Sequence, residues 1–217
     1  MDYKTLKTFI IFKNLDYEGI HHVLSCLEAD IKDYQKGEII YNYLEKVDFA
    51  GVVLKGVAKS STFNANGDEH NIRFFEEGDL FGGAFACVPS AKIFLQVSAQ
   101  SDCKILFLKL SNLMKDYAVN CPYASQVTVN LLSSIATNNI FQIKKIQIIN
   151  QKKIRDKLRL FFLYSKTEDN QIVLPFNRQQ LADYLGVERS ALSREMSKMQ
   201  RDGLIKYNKN IIHIFEL

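Results

Sequence analysis

The 217-residue chain is poor in the groups that most metal centres and many enzymes require: four cysteines, four histidines and no tryptophan. Cys26, Cys87, Cys103 and Cys121 lie far apart along the chain, with no CxxC pair to make a zinc or cluster signature. Idle cytosolic thiols, no metal and no required cofactor are therefore expected. His70 is the sole histidine between Ile31 and Leu108, too few for a metal-dependent cupin enzyme. No nucleophile, base and orienting group can be assembled, so the chain reads as a non-enzyme. The apolar run Phe9 to Phe12 is too brief for a signal-peptide core, and no run approaches the ~18 residues of a membrane span. A soluble, cytoplasmic protein without membrane association is expected. Hydrophobic residues make up 47% of the chain, which excludes disorder as its main state.

Basic residues are concentrated in one place. The last 68 residues hold 13 basic and 8 acidic side chains, whereas the rest holds 15 and 16, so the whole basic excess is C-terminal. Such asymmetry points to an anionic partner for the C-terminal part and leaves the larger part another task.

From Ile31 to Leu108, glycines at 37, 51, 56, 67, 78, 82 and 83 separate short runs rich in Val, Ile, Phe and Tyr. Strands are expected at 38–43, 51–54, 57–63, 71–75, 93–99 and 103–108, with residues 64–68 as a hairpin tip; close strand spacing implies an antiparallel sandwich or barrel. Beyond Leu110 the texture becomes helical. Ser111 can cap a short helix through Tyr117, and Pro122 suits the first turn of a long helix running towards Ile149. On that helix Val127, Leu131, Ile135, Asn138 and Gln142 form one face, taken as the subunit-pairing face. Leu132, Ala136, Ile143 and Ile146 form another, so the helix needs two partners. The expected organisation is a sensory β-roll over 1–110, a linking and dimerisation helix over 111–149, and a DNA-binding part over 150–217.

The segment 177–199 carries the most specific pattern. Asn177 is a good N-cap; Leu181, Ala182 and Leu185 face inward; Gly186 permits a sharp turn; and Leu192, Met196 and Met199 repeat at helical spacing. Arg189, Ser190, Ser193 and Arg194 are left on the outer face of the second helix. Arginine can bridge guanine O6 and N7, and serine can donate to base edges or phosphate. Two runs, 204–207 and 211–215, flank a tip containing Lys209, as in a winged helix-turn-helix.

The stretch Gly186 to Glu195, followed by Met199 to Ile205, resembles the recognition helix and wing of the Crp/Fnr superfamily of bacterial transcription regulators. Lys36-Gly37-Glu38, Leu54-Lys55-Gly56 and Glu77 to Gly82 are similar to the glycine corners of its sensory β-roll. The resemblance covers essentially the whole chain. It implies an α+β fold: an N-terminal jelly-roll effector domain, a long helix pairing two subunits, and a winged helix-turn-helix binding a palindromic duplex as a homodimer, with RNA polymerase as a further partner. It carries DNA contacts onto Arg189, Ser190, Ser193 and Arg194, with Arg178 and Gln179 at the DNA backbone. Many relatives have glutamate where Ser190 stands, which alters the half-site.

Cyclic-nucleotide binders of this superfamily hold the ribose with a glutamate and the phosphate with an arginine. Gly83 and Ile93 occupy those places, so cyclic AMP in the usual mode is not expected, since an uncompensated buried phosphate is costly. A pocket for another small-molecule effector is expected near Phe74, Phe81, Gly82, Gly83, Phe85, Phe94, Asn138 and Asn139. The alternatives are a small-molecule or cyclic-nucleotide module without a DNA role, and a haem or redox sensor of the same superfamily. No thiolate run precedes Cys26 to hold an iron–sulfur cluster, and no histidine sits in a haem motif.

Overall fold

The computed structural model describes residues 3–63, 66–67, 69–88, 92–114, 121–174 and 177–216, with the backbone alone for 70–72. The expected tip residues 64, 65 and 68, the continuation of the helix after Met114, and Pro175 lie outside them. Two compact units divide at Asn138 and Asn139.

The N-terminal unit opens with helices α1 (Tyr3–Leu6) and α2 (Tyr17–Cys26), neither of which is among the sequence expectations. Its strands are β1 (Asp30–Tyr34), β2 (Ile39–Tyr41), β3 (Ala50–Lys55), β4 (Ala58–Phe63), β5 (Glu69–Phe75), β6 (Leu80–Phe81), β7 (Gln96–Ala99) and β8 (Cys103–Leu108). A short helix α3 (Gly83–Ala86) follows β6. Two antiparallel sheets form, in the orders β1-β8-β3-β6 and β2-β7-β4-β5. The strands β1 and β6 escape the sequence reading because β1 is largely exposed and β6 has two residues.

Strand β8 shows why alternation fails as a signal here. Ile105 and Phe107 join Val53, Phe75, Phe81 and Val97 in the core between the sheets. Leu106 and Leu108 point the other way, joining Val52 with the N-terminal residues Phe12, Ile20 and Leu27. A strand buried on both faces reads as a continuous apolar run. Gly51, expected as punctuation, lies inside β3, where an added Cβ would sit 2.2 Å from the Phe81 ring. Ile93, expected to open a strand, is buried outside one, its N–H donating to the Glu45 carbonyl.

Helix α4 (Ala124–Ile149) begins in this unit. Val127 and Leu131 are buried in the N-terminal core, and Ile135 packs against it. The pairing face expected at Val127, Leu131 and Ile135 is thereby corrected, because side chains enclosed by their own protomer cannot meet a second one. The other stripe, with Leu132 66% and Ile143 48% exposed, is the outward one, extended by Val129, Ile140 and Ile146.

The C-terminal unit contains α5 (Ile154–Ser165), β9 (Gln171–Val173), α6 (Arg178–Leu185), α7 (Arg189–Arg201), β10 (Ile205–Asn208) and β11 (Ile211–Ile214). Leu158 and Phe162 of α5, Leu181 and Leu185 of α6, and Leu192, Met196 and Met199 of α7 share one core with Ile205 and Ile212. Fully burying one such side chain contributes about 1.5–3 kcal/mol. The three strands pair antiparallel in the order β10-β11-β9.

Candidate nucleic-acid interface and sensory region

Helix α6 begins with a reciprocal cap. The Asn177 side chain accepts from the Gln180 N–H at 3.0 Å, and the Gln180 side chain accepts from the Asn177 N–H at 2.8 Å. Gly186 ends α6 in the left-handed region at φ 61°, and the Lys157 ammonium donates to the Leu185 carbonyl at 2.9 Å. No atom lies within 4 Å of a Cβ built on Gly186, so Gly186→Ala meets only the left-handed backbone penalty. It is expected to cost about 1 kcal/mol in chemical denaturation, and Gly186→Asn is expected to recover part of that.

Arg155 of α5 fixes α7 in place. Its guanidinium donates to Glu195 at 2.5 Å and to Asp202 at 2.8 Å, and these carboxylates raise its own pKa. Glu195 is thus turned to the inner side of α7. Arg155→Ala is expected to destabilise the C-terminal unit by about 1 kcal/mol, read as a lower thermal midpoint at low salt.

With Leu192, Met196 and Met199 buried, the opposite face of α7 presents Arg189, Ser190, Ser193 and Arg194, all exposed. Gln179, Val187, Glu188, Arg189, Ser190 and Ser193 line a shallow concavity at the start of α7. Ser190 Oγ donates to Glu188 at 3.3 Å, leaving its lone pairs outward. Lys209 stands exposed between β10 and β11 at φ 53°. Ser197 was not among the expected residues; it continues the same face one turn on, its hydroxyl bonded to the Ser193 carbonyl and 3.3 Å from the Tyr207 hydroxyl. Its i, i+4 spacing from Ser193 was the available signal.

Arg178 stands half-buried at the start of α6. Its guanidinium lies 4.5 Å over the Tyr207 ring and donates to the Met196 sulfur, and burial lowers its pKa. It packs the wing against the helices, because an arginine's planar cation is satisfied by an aromatic face where no carboxylate is near.

Two domain families match the chain: a Crp-like helix-turn-helix domain over residues 157–217 and a cyclic nucleotide-binding domain over residues 31–117. Electron transport regulator A of Shewanella oneidensis is 25% identical over 194 residues, 85% of this chain and 74% of the relative. Transcriptional activator protein Anr of Pseudomonas protegens is 22% identical over 191 residues, 84% of this chain and 75% of the relative. The solved structure of FixK2 from Bradyrhizobium japonicum has the same fold, with a TM-score of 0.65 and 22% identity over 86% of this chain and 92% of that one. The chain belongs to the Crp/Fnr family of transcription regulators.

In the Crp/Fnr β-roll of this chain, Gly83 and Ile93 are both buried. A Cβ on Gly83 would lie 2.6 Å from the Leu80 side chain and 3.8 Å from that of Leu131, so any larger side chain there would have to displace Leu80. Ile93 is fully enclosed. The expected effector residues differ in their burial. Phe81 is a core residue, its ring centroid 5.5 Å from that of Tyr41 and 5.4 Å from that of Phe75. Phe94 is 62% exposed, Asn139 is exposed, and Phe74 and Phe85 are half-buried. Gly82 caps α3 at φ 72°, and a Cβ there would meet the Tyr41 ring at 2.8 Å.

Asn138 does belong to a polar site, one that sequence spacing did not reveal. Arg73 of β5 donates to the Asn138 side chain on α4 and to Asp79 at 3.2 Å, and stands 5.0 Å over the Phe75 ring. It links the second sheet to the first part of the long helix through charge-assisted hydrogen bonds.

Proposed function

We propose that the protein is a cytoplasmic homodimer that reads a twofold-symmetric site on double-stranded DNA and regulates transcription there, with RNA polymerase as a further partner. Its β-roll responds to a small-molecule effector other than cyclic AMP, and its parts are the sensory roll 1–110, the linking helix 111–149 and the DNA-binding part 150–217. The observation that carries this reading is the exposed quartet Arg189, Ser190, Ser193 and Arg194 on a helix whose other face is locked into a winged-helix core. Arg194 and Ser190 stand at i, i+4 spacing on this face, as a major-groove reader requires.

The effector acts as a population shift: it favours one of two arrangements of the β-roll against the start of α4, with the Arg73–Asn138 link as the element it biases. The enclosed Gly83 and Ile93 support an effector chemistry unlike a cyclic nucleotide. Selection of bound sequences from random duplex DNA, with and without a small-molecule extract of cells, tests the whole reading. A palindromic consensus supports dimeric readout and dependence on the extract supports the effector, whereas enrichment of no sequence removes the specific DNA role. Among the described residues no helix is long and apolar enough to cross a membrane.

A further inference from the structure

We propose that His22, Cys26 and Cys121 form a binding site for a thiophilic divalent cation of the zinc class. The sequence places these cysteines 95 positions apart; the fold brings them together. An imidazole nitrogen of His22 and the two Sγ atoms all lie within 4.8 Å of one another, each on a half-buried side chain.

The convergence is built by several elements. Asp16 caps α2 by accepting from the Gly19 N–H at 2.8 Å, and the i, i+4 spacing puts His22 and Cys26 on one face of that helix. Gly19 lets Tyr123 approach: an added Cβ would meet the Tyr123 ring at 2.8 Å. The Tyr123 ring in turn stands 5.7 Å from the His22 ring. Cys121 is fixed two residues earlier, its carbonyl accepting from the Ala124 N–H at 3.1 Å at the start of α4. The Cys26 carbonyl accepts from the Asn112 side chain at 3.0 Å, which holds the end of α2.

Two thiolates and one imidazole are a donor set for zinc, with the fourth position open to water. Tetrahedral zinc, with Zn–S near 2.3 Å and Zn–N near 2.0–2.1 Å, needs donors about 3.5–3.8 Å apart, so side-chain rotation of about 1 Å completes the site. On binding, both thiols release their protons to solvent, and the two thiolate charges neutralise the dication. The bound ion ties α2 to the start of α4, so occupancy stiffens the attachment of the long helix to the N-terminal unit. This gives the protein an input distinct from any ligand of the β-roll.

The test uses the full-length protein, reduced and freed of metal under anaerobic conditions, titrated with zinc(II) against a chromophoric chelator and separately with cobalt(II). One ion per chain is expected, with thiolate-to-cobalt charge transfer in the near ultraviolet and the visible bands of tetrahedral cobalt. Losing an outer partner of a metal ligand already costs about 10- to 100-fold in affinity. Cys26→Ser and Cys121→Ser are therefore each expected to weaken zinc binding by more than about 100-fold, while Cys87→Ser binds as the parent does. Circular dichroism of the metal-free variants checks that they fold, and His22→Gln reads the same loss if a serine variant does not. The proposal is overturned by a cobalt complex lacking thiolate charge transfer, by unchanged zinc affinity in the Cys26→Ser/Cys121→Ser double variant, or by a reduced protein that binds no ion and forms only a Cys26–Cys121 disulfide in air.

Discussion

Leu132→Glu combined with Ile143→Glu is expected to yield a folded monomer whose affinity for the selected DNA site falls by more than about 100-fold. Both side chains stand exposed on α4, so glutamate there disturbs no core of the protomer. In a dimer paired along this stripe, Val129, Leu132, Ala136, Ile140, Ile143 and Ile146 would interdigitate with their counterparts as knobs into holes. Two glutamates per subunit then place four carboxylates in an apolar seam, each costing several kcal/mol to desolvate. Site affinity falls with dimerisation because two linked recognition helices bind with an effective concentration that a single one lacks. Sedimentation equilibrium reads the first effect and fluorescence anisotropy the second. A dimer of unchanged stability would remove the stripe as the pairing surface. The same charge at Leu131, which is 7% exposed, is expected instead to unfold the N-terminal unit.

Arg194→Ala is expected to lower affinity for the selected site by about 1–3 kcal/mol, roughly 5- to 150-fold, while affinity for random duplex changes far less. Arg194 is exposed on the face of α7 opposite Leu192 and Met196, and among the described residues no carboxylate lies within ion-pair distance of it. Its five donors are therefore available to a guanine edge. The protein should remain dimeric and keep a steep dependence of binding on salt, since the basic excess of the last 68 residues persists. Equal losses on specific and random duplex would assign Arg194 to phosphate contact instead.

The winged-helix part was the most legible in the sequence. Each of its signals is local: a cap at Asn177, a left-handed turn at Gly186, and a repeat of Leu192, Met196 and Met199 within one helix. The β-roll strands were legible where turn glycines bound them, and obscure where a strand is short or exposed, as in β1 and β6. The packing of Arg178 was not legible, because its position at the start of α6 is a sequence property, whereas the ring of Tyr207 reaches it only through the fold of the wing. The burial of the expected effector residues was not legible for the same reason. Phe81 and Phe94 are similar residues in sequence, yet one fills the inter-sheet core and the other faces solvent.

By itself, the sequence determined that the C-terminal part is basic, that a helix-turn-helix closes around Gly186, and that the long helix carries two apolar faces. These follow from composition and from periodicities that span a few turns of chain. Only the tertiary structure decided which face of α4 is enclosed with Phe12 and Val52 and which is left outside, and that His22, Cys26 and Cys121 meet. The physical reason is the same in both cases. A helix presents its stripes symmetrically until a sheet packs against one of them, and side chains distant in sequence become neighbours only when the long-range packing that brings them together has formed.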